Sequence, residues 1–123
     1  MSGKVDFEIA RQKHLEWMQL IRSFLNDKIS IQKETMVSHT HSDLGKWYYS
    51  EGKTKYGQMD SMKKFEFQHE KLHQIAKDIY NLKIANDDYL PEWLADELNV
   101  VSDKIVNLLT LAENEINNKI NLK

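Results

Sequence analysis

Cysteine is absent from this sequence, and its absence excludes disulfide bonds, thiolate catalysis and every metal site built on thiolates. The chain contains one proline and four glycines, which is too few for the tight turns of an all-β sandwich. It has a net charge of −2 and no long run of lysine or arginine, so we expect no nucleic-acid partner. No apolar run is long enough to cross a bilayer, and no signal peptide is recognisable, so we expect a cytoplasmic protein without membrane contact.

The overall composition is that of an ordinary globular protein. Apolar residues make up 41% of the chain and charged residues 29%, which is too apolar for a disordered chain. A length of 123 residues is sufficient to bury a hydrophobic core without disulfides or other cross-links. We therefore predict one domain that spans residues 1–123.

Helical periodicity organises the chain. Apolar residues recur at steps of three and four near residues 7–26, 31–50 and 59–82, and again over residues 91–116. Gly52 is predicted to end the second segment by taking the left-handed cap conformation. Four helices joined by short loops pack most simply side by side, so the predicted fold class is an all-α, antiparallel four-helix bundle.

The placement of the histidines is the main chemical signal. His14 lies within the apolar stripe of the first predicted helix, while His69 and His73 lie four residues apart on the stripe of the third. Zinc favours four ligands in a tetrahedron, and neutral imidazole is a good ligand near neutral pH. A single histidine on an apolar face, however, is usually a core residue that is hydrogen-bonded to a carbonyl. Spacing alone therefore leaves metal binding and structural packing equally favoured.

Three motifs of this sequence resemble those of the bacterial chemoreceptor zinc-binding domain family. Residues 39–49, followed by Gly52, resemble its central motif, which is usually recognised by Cys-x-Leu/Phe-Gly-x-Trp. The glycine of this motif, Gly45, is expected to let another helix backbone approach closely. The family's His-x-x-Trp and His-x-x-x-His motifs correspond to residues 14–17 and 69–73, in the same order along the chain.

The resemblance implies a four-helix-type bundle that holds Zn²⁺ on three histidines and one cysteine. Carried over to this chain, His14, His69 and His73 take the histidine positions. The cysteine position falls on Ser42, whose neutral hydroxyl is a poor zinc ligand compared with a thiolate. The resemblance therefore predicts a retained three-histidine core with an unresolved fourth ligand.

Several groups are candidates for the fourth ligand. His39 lies three residues before Ser42 and is expected on the same helix face, where it would complete an all-histidine site. His41 is adjacent to Ser42 but points about a quarter turn away, and Asp43 is no better placed. Otherwise water or the Ser42 hydroxyl fills the position and leaves a weaker, more open site.

By resemblance, the function is that of a zinc-binding regulatory or sensory module of bacterial signal transduction, such as chemotaxis, either free-standing or excised from a longer protein. Metal binding would lock the helices and change a face that contacts a signalling partner. The alternative is a metal-free structural or protein-interaction bundle. We do not expect an enzyme, because Glu66-x-x-His69 and Glu70-x-x-His73 fall on one helix, whereas di-iron bundles need such motifs on two. The sequence leaves open whether the bundle forms a homodimer.

Overall fold

The structure, a computed structural model, describes residues 2–25, 38–40, 42–85 and 92–121. These residues contain no β-strand, which confirms the predicted all-α class. No helix among them is both long and apolar enough to span a bilayer. The helical elements are α1 (Ser2–Leu25), α2 (Asp43–Trp47), a π-helical segment (Tyr48–Gly52), α3 (Lys53–Tyr56), α4 (Asp60–Ile84) and α5 (Glu92–Asn121).

The segment from α2 to α3 is one continuous helical rod with a π-helical turn in its middle. The amide of Lys53 bonds to the carbonyl of Tyr48, five residues earlier, as a π-helix requires. Gly52 has φ −62° and ψ −43°, so the prediction that it ends the helix in the left-handed conformation is wrong. Its small size serves packing instead, because a Cβ at this position would lie 2.9 Å from the Trp47 ring.

The start of this rod also differs from the sequence prediction. The predicted helix begins near residue 31, but residues 31–37 lie outside the described part of the chain and residues 38–40 are not helical. Ser42 has extended backbone angles and is the N-cap of α2, so the helix begins at Asp43. His39 therefore lies in a turn that precedes the helix, and its predicted place on the same helix face as Ser42 is wrong.

The rod, α4 and α5 run in alternating directions. Lys64, near the start of α4, lines a groove together with Leu108 of α5. Leu82, near the end of α4, lines a second groove together with Trp93 at the start of α5. The segment that contains α2 is likewise antiparallel to α4. Tyr48 contacts Phe65, whereas the earlier residue His39 contacts the later residue His69.

α1 and α4 run in the same direction, as diagonally opposite helices of such a bundle do. The ring centroids of Trp17 and His73 are 4.6 Å apart. Seven residues further along both helices, Phe24 stacks on Tyr80 with a centroid distance of 5.7 Å. α1 also packs along α5 and against α2. The described helices therefore form the predicted antiparallel four-helix bundle.

The core lies between the apolar faces of these helices. Fully burying a large apolar side chain contributes about 1.5–3 kcal/mol, so these faces supply the main favourable term in folding. On α5 six positions of the predicted apolar stripe are buried, while Leu108 and Ile116 are partly buried. The six are Leu94, Leu98, Val101, Ile105, Leu109 and Ala112. Among the described residues, seven polar or charged ones are buried with them: His14, Ser42, Ser61, His69, His73, Ser102 and Glu113.

Candidate metal centre

His14 is positioned by α1 and by a polar contact with α5. Only 1% of its surface is exposed, and its Nε2 lies 2.7 Å from the hydroxyl oxygen of Ser102. Burial lowers the pKa of His14 to about 4, so the imidazole is neutral near neutral pH. A neutral imidazole keeps a lone pair on one ring nitrogen, which is the form that binds a metal.

His69 and His73 lie one turn apart on the buried face of α4. Their exposed fractions are 2% and 1%, and their ring centroids are 4.8 Å apart with the rings nearly perpendicular. Phe65 stacks on His69, while Trp17 of α1 packs against His73. Burial, followed by the proximity of other imidazoles, lowers the pKa of His69 to about 2. The inward placement predicted for all three histidines agrees with their burial.

Ser42 is buried at the N-terminus of α2, where its hydroxyl has a structural task. The Gly45 amide donates a hydrogen bond to the Ser42 side-chain oxygen over 3.1 Å, which satisfies one of the free amides of the first turn. A Cβ on Gly45 would overlap the carbonyl oxygen of His39. The close approach expected at Gly45 is therefore real, but it comes from the turn before α2 rather than from another helix.

His39 lies at the edge of the buried histidines. Its ring centroid is 6.0 Å from that of His69, and 30% of its side chain is exposed. Its Nε2 is 3.6 Å from a carboxylate oxygen of Glu70, a residue that points largely into solvent. Of the other candidates for the fourth ligand, His41 lies outside the described residues, and Asp43 is exposed in the first turn of α2.

The carboxylates of the third predicted helix do not enter the core. Glu66 accepts hydrogen bonds from the hydroxyl of Tyr49 over 2.7 Å and from the ammonium of Lys53 over 3.4 Å. The Glu70 side chain is 53% exposed. Glu66 thus contacts the rod and Glu70 contacts the turn before it, so the imidazoles are the main potential metal ligands in the interior.

The buried imidazoles are chemically suitable zinc ligands, but no three of the described potential ligands lie around one point. The buried imidazoles are neutral and come from two helices, which is the donor chemistry that a zinc site needs. Within the described ranges, no group of three or more His, Cys, Asp or Glu side chains is close enough to hold a metal ion. As they are placed, the described side chains do not form a three-ligand site.

The sequence interpretation missed Ser102, the polar partner of His14. This serine sits beside Val101 on the apolar stripe of α5 and is 7% exposed. A small polar residue inside an otherwise apolar stripe is the one signal that it carries. Its pairing with His14 spans 88 positions and follows only from the way in which α1 packs on α5.

Comparison with known proteins identifies the family. Residues 14–80 match the model of the chemoreceptor zinc-binding domain, a segment that begins at His14 and ends within α4, before α5. No curated protein and no solved structure matches the chain. The matched segment covers more than half of the 123 residues and includes every candidate ligand position. The chain therefore belongs to the chemoreceptor zinc-binding domain family.

Proposed function

We propose that this chain is a regulatory module that binds one zinc ion through His14, His69 and His73. One observation carries the proposal: these three residues, together with Ser42 at the position of the family's cysteine, are all buried. Burying an imidazole costs free energy, and three buried imidazoles in one small core provide the neutral nitrogen ligands that zinc binds. A shared metal ion explains their presence, and it agrees with the family to which the chain belongs.

The proposed effect of zinc is to join helices that otherwise touch through side-chain packing. His14 belongs to α1, while His69 and His73 belong to α4, the helix diagonally opposite. When bound, zinc supplies a divalent charge that links neutral imidazoles, and its binding free energy adds to the folding free energy. Trp17 of α1 packs against His73, so a movement of that imidazole on zinc binding would change the packing of α1. We propose that the resulting change in helix packing is what a signalling partner recognises.

The fourth zinc ligand is proposed to be water or the Ser42 hydroxyl rather than His39. Ser42 is buried, whereas His39 lies in a partly exposed turn and faces Glu70. Ser42→Cys is expected to tighten zinc binding at least tenfold, because a thiolate is a much stronger ligand than a hydroxyl. Competition with a chromophoric chelator measures this, with His39→Ala as the companion variant. A large loss in His39→Ala and no gain in Ser42→Cys would assign the position to His39.

The experiment that tests the proposed function compares metal content and zinc-dependent stability. Protein purified without a metal-chelating tag is expected to contain about one zinc per chain, and its melting temperature should fall with chelator and recover with zinc. His73→Ala should lose this response. Leu72→Ala is the matched control, because it truncates a fully buried neighbour on the same helix but removes no potential metal ligand. It should melt at a lower temperature and still respond to zinc.

A metal-free interaction bundle is the second candidate function. Three features of the described residues favour it: no three potential ligands converge, Ser42 caps a helix, and His14 bonds to Ser102. In that case tag-free protein carries no stoichiometric metal, and neither zinc nor chelator changes its melting temperature. Such a result would reject the zinc module in favour of this alternative.

A further inference from the structure

The hydrogen bond between His14 and Ser102 occupies one of the two ring nitrogens of His14. The distance from His14 Nε2 to Ser102 Oγ is 2.7 Å, and both residues are buried, with exposed fractions of 1% and 7%. The bond joins α1 to α5, and α5 lies beyond residue 80, where the match to the family model ends. The partner of this imidazole is therefore supplied by a part of the chain that the family match does not include.

The direction of this hydrogen bond decides which nitrogen of His14 can bind a metal. A neutral imidazole carries one proton, so one nitrogen is a donor and the other has a free lone pair. If Ser102 accepts a hydrogen bond from Nε2–H, the lone pair is on Nδ1. If Ser102 donates to Nε2, the proton is on Nδ1 and the lone pair is already used by the serine.

Histidines that bind metals usually donate their second ring N–H to an oxygen acceptor, which fixes the tautomer and the orientation of the ring. Ser102 is placed to be that acceptor, because its Oγ lies 2.7 Å from His14 Nε2 and a hydroxyl oxygen carries two lone pairs. We propose that Ser102 is a positioning residue of the zinc site, which accepts a hydrogen bond from His14 Nε2–H and so presents Nδ1 to the metal.

This inference rests on the proposed zinc-binding function and adds α5 to it. His14 would be held from one side by the serine of α5 and would share its other nitrogen with the ion bound by α4. Metal binding would then restrain α1, α4 and α5 together, although α5 supplies no ligand. Loss of the Ser102 hydroxyl should consequently weaken zinc binding, although it removes no metal ligand.

The test compares Ser102→Ala and Ser102→Thr with a matched control. Ser61→Ala is that control, because Ser61 is also a buried helical serine, with an exposed fraction of 2% and a hydroxyl that has no hydrogen-bond partner among the described residues. Two properties are measured on each protein. The first is the tautomer of His14 in metal-free protein, from the ¹⁵N chemical shifts of its ring. The second is zinc affinity, from competition with a chromophoric chelator.

The wild-type protein should show His14 protonated at Nε2 in the metal-free state. Ser102→Ala should give a mixture of tautomers and a zinc affinity that is lower by about 10- to 100-fold. Ser102→Thr should restore both properties because it keeps the hydroxyl, and Ser61→Ala should leave both unchanged. Circular dichroism verifies that every variant is folded.

Two results would overturn the inference. If Ser102→Ala binds zinc as tightly as the wild type, or more tightly, then Ser102 either has no part in the site or competes with the metal for Nε2. If the metal-free wild type is protonated at Nδ1, the serine is the donor and does not present Nδ1 to the metal. Failure of the proposed function looks different, because then the wild type itself takes up no zinc, and Ser102 is only a structural partner of His14.

Discussion

The metal-free protein should lose stability as the pH falls from about 8 to about 5, because burial keeps two of its histidines neutral. Burial lowers the pKa of His14 to about 4 and that of His69 to about 2, from an ordinary value of 6.5. Below pH 6.5 the unfolded chain therefore binds more protons at these residues than the folded chain does. The stability that depends on their neutrality is complete above this pH and is lost progressively below it.

The size of this effect follows from the pKa of the unfolded chain. Each pH unit below it lowers the free energy of unfolding by about 1.4 kcal/mol per histidine, as long as the folded-state pKa has not been reached. At about pH 5 the loss is therefore about 2 kcal/mol for each histidine and about 4 kcal/mol for the pair. Because this pH lies above both folded-state values, the result is the same whether a pKa is near 4 or near 2. A loss of this size is a large part of a typical domain's stability of about 5–15 kcal/mol.

Urea unfolding of chelator-treated protein, followed by circular dichroism between about pH 8 and pH 5, measures this loss. Most carboxyl groups titrate below this range, so they contribute little to it. His14→Gln is the matched variant, because glutamine does not titrate and still offers Ser102 a hydrogen-bonding partner. Its stability should fall by about 2 kcal/mol less than that of the wild type over the same range. A free energy of unfolding that is constant with pH, or an equal loss in both proteins, would refute the reasoning.

Three further predictions concern local packing, and thermal or urea unfolding measures each of them. Gly45→Ala should lower the free energy of unfolding by about 2 kcal/mol or more, since its Cβ would overlap the His39 carbonyl; a neutral effect would contradict this close approach. Ser42→Ala should cost about 1 kcal/mol through loss of the helix cap, and unchanged stability would show that the cap contributes nothing. Leu109→Ala should cost about 3 kcal/mol because it opens a cavity in the core, whereas exposed Leu111→Ala should cost less than about 0.5 kcal/mol; equal losses would contradict their burial.

The long helices could be predicted from the sequence because periodicity and packing agree in them. α5 shows this most clearly, since Leu98, Val101, Ile105 and Leu109 recur at helical spacing and all are buried. The second predicted helix was wrong over residues 38–40 and at its end, because local contacts decide there. The Ser42 cap sets the start of α2, and Gly52 continues the helix where its composition suggested an end. Neither outcome follows from the spacing of apolar residues.

The candidate site could be predicted only in part, for a related reason. His14, His69 and His73 lie on apolar stripes, so their burial follows from helical periodicity alone. The contact between His14 and Ser102 depends on the register of two helices that are distant in sequence, and no local pattern contains that register. The separation of His39 from the face of α2 likewise depends on where that helix begins.

Ser42 shows why the metal site and the fold can respond differently to one substitution. A side chain at this position can have two roles: it can accept a hydrogen bond that caps α2, and it can act as a metal ligand. Serine keeps the first ability, since its oxygen accepts the Gly45 amide, and it largely gives up the second because a neutral hydroxyl binds zinc weakly. The fold around the three histidines can therefore persist without a thiolate. In the proposed zinc module, a serine at this position would lack the charge and affinity of a thiolate ligand, so zinc affinity would depend on the imidazoles and on the residues proposed to orient them.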